Sequence, residues 1–296
     1  MNYIFIVNGR SDYKKRIQEA LAQQLAAVKI NYAIYITTGI GDGTRYVKIY
    51  CDLHPNEEVC FIACGGSGTS NEVASGIVGE TNKSMAILAY GASNDFVKSY
   101  PDRKFDNLKA ILKGETVVID SIRVNDNYAI NVVDFGLDSV VAEEANYQIE
   151  QGAKNPYLLG VLKGIFFGRY NRIKVKADGE KINHRWMLLC TLANGQYVGG
   201  GYKCAPNAVL DDGVIELCFL KPMSLLRFLI VFNIYKRGGH LTSKMFGKRL
   251  VYRRVKHVDV TSPTLVNACI DGELLTGTSF SIDIVPKSIR LVLPAK

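Results

Sequence analysis

The 296-residue chain is 48% apolar and 22% charged, a globular composition, and its 27 glycines and 8 prolines exclude a collagen or a proline-rich linker protein. Lys and Arg outnumber Asp and Glu by 36 to 28, and the net charge of +8 favours anionic partners: nucleotides, nucleic acid or an anionic membrane surface. Seven cysteines, an odd number without a CxxC pair, support neither a disulfide scaffold nor a zinc knuckle and point to a reducing cytoplasm.

The N-terminus runs straight into a strand pattern, Tyr3 to Val7, with no signal-like segment before it. Asp12 to Lys29 has helical periodicity, with Ile17, Leu21, Leu25 and Val28 at spacings of three and four. A second strand, Ala33 to Thr37, meets a breaker at Gly39 to Gly43. A third, Val59 to Ala63, ends in GGSG, a helix is expected over Asn71 to Val78, and Met85 to Ala89 is a fourth strand. Alternating strands and helices at this spacing imply a parallel sheet with helices on its faces, which binds ligands at the carboxyl ends of its strands.

After about residue 115 the pattern changes. Thr116 to Val124, Tyr128 to Val133, Arg172 to Ala177, Trp186 to Leu192 and Val214 to Phe219 read as strands of a mainly antiparallel second domain. Helical stretches interrupt it at Ala142 to Phe167 and Met223 to Tyr235. Strand alternation returns in Ser279 to Val285 and Ser288 to Leu293. The longest apolar stretch, around Phe228 to Phe232, is broken by Arg227 and Asn233 and is too short to span a bilayer.

The strongest local signal is CGGSGTSNEVASG, residues 64 to 76, between a strand and a helix. Gly65, Gly66 and Gly68 allow a sharp turn and close approach to a ligand, and the amides opening the helix can receive phosphate oxygens. Thr69 and Ser70 add hydroxyls. The spacing fits neither GxGxxG nor GxxxxGK[ST], and the plain alternative is a tight turn with a helix cap. A second glycine-polar loop, YGASNDF at residues 90 to 96, follows the next strand and offers Asn94 and Asp95. Side by side, the two loops could hold a nucleotide and a carboxylate-bound metal.

Together these stretches resemble the diacylglycerol kinase catalytic family, which includes bacterial lipid kinases and the sphingosine and ceramide kinases. GGSGTSNE and GASNDF are similar to the family's GGDGTxNE loop and G-[TS]-x-NDF. NGQYVGGGYKCAPNAVLDDGVIE at 194 to 216 and IDGE at 270 to 273 are similar to its later NG…GGG…AP…DDG and DGE segments. The four motifs stand in order across essentially the whole chain.

The resemblance implies an α/β plus β fold. A Rossmann-like, phosphofructokinase- and NAD-kinase-like ATP-binding domain would cover residues 1–120, completed by about 285–296. A β-sandwich domain would cover 121–284 and contribute to the lipid-substrate cleft. The implied activity is ATP- and Mg²⁺-dependent transfer of the γ-phosphoryl group to the hydroxyl of diacylglycerol or a related lipid alcohol. Such a kinase would be cytoplasmic and peripheral to the inner face of the membrane. Its partner is a lipid substrate at the membrane surface rather than nucleic acid, and a homodimer is left open.

On the nucleotide side the resemblance places Gly65, Gly66, Ser67, Gly68, Thr69, Asn71, Glu72 and Asn94, with Asn8 and Arg10 at the end of the first strand. Glu72 reads equally as a first-turn residue favoured by the helix dipole. Asp95, Asp271 and Glu273 are the catalytic candidates, with Asp271 as general base and Glu273 supporting metal or hydroxyl orientation. The local alternative for Asp271-Gly272 is a tight hairpin turn. Asp120 and Lys163 are the substrate-side candidates, otherwise a turn residue and a solvated lysine. Asp212 is the candidate ligand of a structural Mg²⁺.

One residue departs from the family pattern. Ser67 stands where the family has the Asp of GGDGT, and a neutral hydroxyl is a weak ligand for a hard cation. Ser67 leaves open a weakly active or inactive nucleotide- or lipid-binding homologue; the shared glycine loop and nucleotide domain leave open a soluble-substrate kinase of the NAD or sugar kinase type. Residues 223–240 could form an interfacial helix led by Leu225, Leu226, Leu229, Phe232 and Tyr235, or could pack that face on the sandwich. The four histidines have no metal-ligand spacing.

Overall fold

The computed structural model describes residues 2–9, 14–91, 94–150, 171–183 and 185–296. The chain divides into two compact units, Met1–Ser121 with Val285–Lys296, and Ile122–Ile284.

The first unit is a parallel sheet built from β1 (Asn2–Val7), β2 (Tyr32–Ile36), β3 (Val59–Gly65) and β4 (Lys83–Ala89), in the order β4-β3-β1-β2. β3 and most of β1 and β4 are buried, which is why they read as continuous apolar runs rather than alternating ones. Helix α1 (Lys14–Leu25) buries Ile17, Leu21 and Leu25 against Phe5, Ile62 and Leu88, as its spacing predicts.

Helix α2 (Asp42–Leu53) is not visible in the periodicity. Its buried positions are Asp42, Gly43, Val47 and Cys51, too few apolar residues for a stripe. Close packing on helix α3 (Ser67–Ile77) places it: a methyl at Gly76 would lie 2.5 Å from Val47 Cγ1. Beneath α2, the Lys83 side chain is fully buried, and its Nζ donates to the carbonyls of His54 at 2.9 Å and Glu57 at 2.7 Å. The lysine thus satisfies carbonyls at the C-terminal end of the helix. Helix α4 (Leu108–Leu112) is capped by Asn107, whose side chain accepts from the Ala110 amide.

The second unit is antiparallel. β6 (Asn127–Ala129) pairs with β5 (Glu115–Val124), and β9 (Glu180–Lys181) pairs with β8 (Lys174–Ala177). β7 (Val132–Gly136), β10 (Leu189–Ala193), β11 (Ile215–Leu220) and β12 (Leu250–Val255) form a run in the order β12-β11-β10-β7, and β7 continues to β13 (His257–Ile270). The predicted strand Tyr128 to Val133 is therefore two strands. The predicted pair at the C-terminus is one, β14 (Glu273–Leu293), which pairs with β13 around a bulge between Thr261 and Val266. Lys287, at a φ of 50°, marks the point where the sequence alternation breaks.

Helix α5 (Leu137–Glu150) begins five residues before its predicted start, and the remainder of that stretch lies outside the described residues. One sandwich core gathers Phe135, Phe219, Phe280 and Ile282. A second takes in Phe228, Val231 and Tyr235 of helix α6 (Leu225–Lys236). The face named from the sequence is split: Tyr235 is core, while Leu226 and Leu229, with Ile230, are exposed. Because α6 is apolar nearly all round, sequence pattern could not choose its buried face. Among the described residues no helix is long and apolar enough to cross a membrane, and all seven cysteines are buried free thiols.

Candidate active site

In the first unit the strand ends converge. The Asn8 amide donates to the Cys64 carbonyl at 3.2 Å, and the Gly9 amide donates to Thr37 Oγ1 at 3.2 Å. β3 ends at Gly65, Gly66 is extended, and α3 begins at Ser67, four residues earlier than its sequence signature. Gly66 is the N-cap of α3 and brings no side chain to it, so the amides of its first turn receive no capping side chain from that position. Thr69, Ser70 and Asn71 are buried on this first turn.

The second glycine loop lies against the first. The Gly65 carbonyl accepts both the Gly91 amide and Asn94 Nδ2, each at 3.0 Å. A methyl at Gly91 would stand 2.4 Å from Gly66 Cα, so this approach requires glycine. The next residue of the loop's NDF run, Asp95, is buried and accepts from Lys98 Nζ at 2.6 Å. Lys98 was not a sequence candidate; its position three residues after Asp95 was the only signal. Arg10 lies outside the described residues.

Glu72 faces the loop between β2 and α2. Its carboxylate accepts the amides of Gly41 and Gly43, both at 2.8 Å, and its backbone carbonyl accepts Thr44 Oγ1 at 2.9 Å. From inside the same loop, Asp42 accepts the Thr38 amide at 2.8 Å, the Thr38 and Tyr35 hydroxyls and Arg45. The Thr38 amide is the main reason its carboxyl is held low, at about 2. Asp120 is fully buried and accepts the Lys287 amide at 2.7 Å.

In the second unit Asp271 and Gly272 form the two-residue turn between β13 and β14, with φ of 49° and 100°. Positive φ at both positions is what a type I′ hairpin turn demands. The Asp271 carboxylate accepts three successive amides: Ile130 at 2.8 Å, Asn131 at 3.2 Å and Val132 at 2.8 Å. Asn131 is tied in turn to the 194–197 segment through its carbonyl and its side chain. Asn194-Gly195 is therefore not the hairpin turn its dipeptide suggests. Glu273 is the first residue of β14, half-buried, opposite Ile270.

Asp212 is ion-paired with Arg254, whose guanidinium also reaches Glu216. Among the described residues no group of three His, Cys, Asp or Glu stands ready to hold a metal. In the structure the Asp212 carboxylate is shared with the Arg254 guanidinium. Lys163 lies outside the described residues.

For ATP the fit is better. A side-chain-free N-cap, buried hydroxyl and amide side chains on the first turn of α3, and two loops in contact make a surface of donors suited to phosphate oxygens. Among the described residues no group of three acidic, His or Cys side chains stands there: Glu72 accepts two backbone amides, Asp42 accepts the Thr38 amide, two hydroxyls and Arg45, and Ser67 carries no charge.

Residues 131–293 match the family described as the YegS C-terminal NAD kinase beta sandwich-like domain, and residues 2–124 match the diacylglycerol kinase catalytic domain. A probable lipid kinase, YegS-like, from Yersinia enterocolitica is 29% identical, with 98% of this chain and 96% of that protein aligned. The fold is similar to a putative diacylglycerol kinase from Bacillus anthracis (TM-score 0.75, 23% identity, 99% of this chain and 95% of that one). A second from the same organism has a TM-score of 0.73, 20% identity and coverage of 98% and 96%.

Proposed function

From the chain's membership of the diacylglycerol kinase and YegS-like lipid kinase family, as a phosphotransferase of that type, we propose that it moves the γ-phosphoryl group of ATP onto the hydroxyl of diacylglycerol or a related lipid alcohol. The observation that carries this reading is the junction at Gly65, whose carbonyl accepts from both Gly91 and Asn94. It brings the two glycine loops to one sheet edge, where the opening amides of α3, with Thr69 and Asn71, can hold the phosphates. Mg²⁺ would enter with the ATP phosphates and neutralise their charge. It usually binds through one or two carboxylates and keeps several waters, so a ready-made cage is not required.

A general base needs a lone pair aimed at the hydroxyl it deprotonates. The Asp271 carboxylate accepts three backbone amides, and so anchors the turn from which Glu273 emerges beside its proposed role as general base. Within the first unit Asp95 is the catalytic candidate, with Lys98 holding its carboxylate in place; Glu273 is the second unit's candidate for orienting a hydroxyl. The buried free thiols agree with a cytoplasmic protein that works at the inner membrane face.

The test is phosphate transfer from ATP, with Mg²⁺, to a panel of lipid alcohols in mixed micelles. Labelled lipid phosphate is expected. Transfer to NAD or a sugar instead, or to no alcohol at all, refutes the reading.

A second reading rests on Ser67 alone: a nucleotide-binding homologue with residual activity. On that reading Ser67→Asp raises initial rates by about tenfold, about 1.4 kcal/mol of transition-state stabilisation. An equal or lower rate across a Mg²⁺ titration removes it.

A further inference from the structure

The exposed face of α6 and the charge around it stand apart from the rest of the chain. Leu226 is 72% exposed, and Leu229 and Ile230 are each 50% exposed, three large apolar side chains at helical spacing three and four. Met245, also exposed, is brought to the helix by Arg227, whose guanidinium donates to the Met245 carbonyl at 2.7 Å. The opposite stripe, Phe228, Val231 and Tyr235, is buried in the second unit, so α6 is fixed in orientation and presents the outer face as a rigid surface.

Residues 217–258 hold ten of the 36 Lys and Arg and none of the 28 Asp and Glu; the rest of the chain carries 26 against 28. The whole positive excess therefore lies in this one segment. Arg253 and Arg254 pair with Glu180 and Asp212. Among the described residues, the ion pairs include none of Lys221, Arg227, Lys236, Arg237, Lys244, Lys248 and Arg249.

We propose that this face is a bilayer-docking surface, in which Leu226, Leu229 and Ile230 enter the acyl boundary of an anionic leaflet while the surrounding lysines and arginines meet its headgroups. Exposed apolar side chains in a segment whose cations have no acidic neighbours in the chain are what an interfacial helix requires. A protein partner would need an acidic rim around an apolar socket; a phospholipid leaflet supplies both layers without one. The proposal deepens the lipid-kinase reading and rests on it for the choice of a bilayer among anionic partners.

Co-sedimentation of the full chain with vesicles, without nucleotide, tests it. Vesicles of equal parts phosphatidylglycerol and phosphatidylcholine should bind at least tenfold more tightly than phosphatidylcholine alone, and salt should weaken the binding. Leu226→Gln/Leu229→Gln/Ile230→Gln should lose at least tenfold with an unchanged melting temperature. If that variant unfolds, Leu226→Gln alone, at the most exposed position, carries the test. Neutralising Lys236, Arg237, Lys244 and Lys248 should cost about fivefold per residue on the anionic vesicles only.

No binding by the unaltered chain, or unchanged binding by the apolar variants, overturns the proposal. So does a dimer in solution that the triple variant dissolves, since the face would then be a contact between copies. Turnover of a water-soluble short-chain diacylglycerol reports on the kinase reading separately. Its loss in the unaltered chain sinks that reading and leaves vesicle binding to stand or fall alone.

Discussion

Glu72 and Asp271 sit in different units and different motifs, yet their carboxylates do the same thing. Glu72 gathers the amides of Gly41 and Gly43, which open α2; Asp271 gathers those of Ile130, Asn131 and Val132, which open β7. The difference is in depth and number. Asp271 is buried with three amides, whereas Glu72 is half-buried with two. Each side chain is nominated by its motif for chemistry and is used by the fold as an acceptor for backbone donors. At Asp95 a lysine ammonium is among the donors, Lys98 Nζ at 2.6 Å.

The largest effect expected is at Asp271. Asp271→Ala removes the carboxylate that accepts three successive amides, a cost of about 3–5 kcal/mol in unit two. Asp271→Asn keeps one acceptor oxygen and should lose roughly half as much. Urea unfolding of both variants reads this directly. Full stability of Asp271→Asn together with abolished turnover would return Asp271 to the chemistry.

Asp95→Asn should act on rate instead. If Asp95 takes the proton of the acceptor, kcat falls by about a hundredfold or more, while ATP binding, followed by calorimetry, and the melting temperature stay near those of the unaltered chain. A parallel loss of ATP affinity would move Asp95 to the nucleotide side.

Glu72→Ala should cost less than Asp271→Ala, about 1–2 kcal/mol, since water can reach the freed Gly41 amide. Glu72→Gln should recover most of it, because an amide oxygen still accepts from one glycine. Hydrogen exchange at Gly41 and Gly43 should accelerate in the alanine variant and not elsewhere in the sheet. Unaltered exchange there would mean that Glu72 is not what holds the loop.

Fold class and the order of the chemistry-bearing loops were legible in the sequence for a physical reason. Buried parallel strands such as Val59–Gly65 leave unbroken apolar runs, and glycine loops at their ends leave a composition mark. α2 was not legible, because it is held by glycine-close packing on α3 and by the carbonyl contacts of a buried lysine rather than by an apolar stripe. The outward face of α6 was legible only in part, at Leu226 and Leu229, because its apolar residues surround the helix and only the tertiary core selects among them. Motif matching found Glu72 and Asp271 and could not find their amide partners, which lie 29 to 31 and 139 to 141 residues away in the chain.

The smallest effect concerns Asp42, which holds the Glu72 loop from within. Its carboxyl titrates at about 2 in the folded chain against an ordinary value of 3.8, chiefly because the charged form accepts the Thr38 amide. A depressed carboxyl contributes stability that is fully present above the unfolded value and is lost as pH falls through the folded one. The loss therefore falls between about pH 4 and pH 2, and roughly half of it is complete by pH 3. Asp42→Asn has no such titration. It should be less stable than the unaltered chain at pH 6, by urea unfolding, and the gap should shrink to about half at pH 3. Glu72→Ala, in which the Asp42 contacts remain, should keep the part of the acid slope that Asp42 supplies. A gap between Asp42→Asn and the unaltered chain that stays constant from pH 6 to pH 3 would show that the two carboxylates do not divide the loop as proposed, with Asp42 gripping it through its charge.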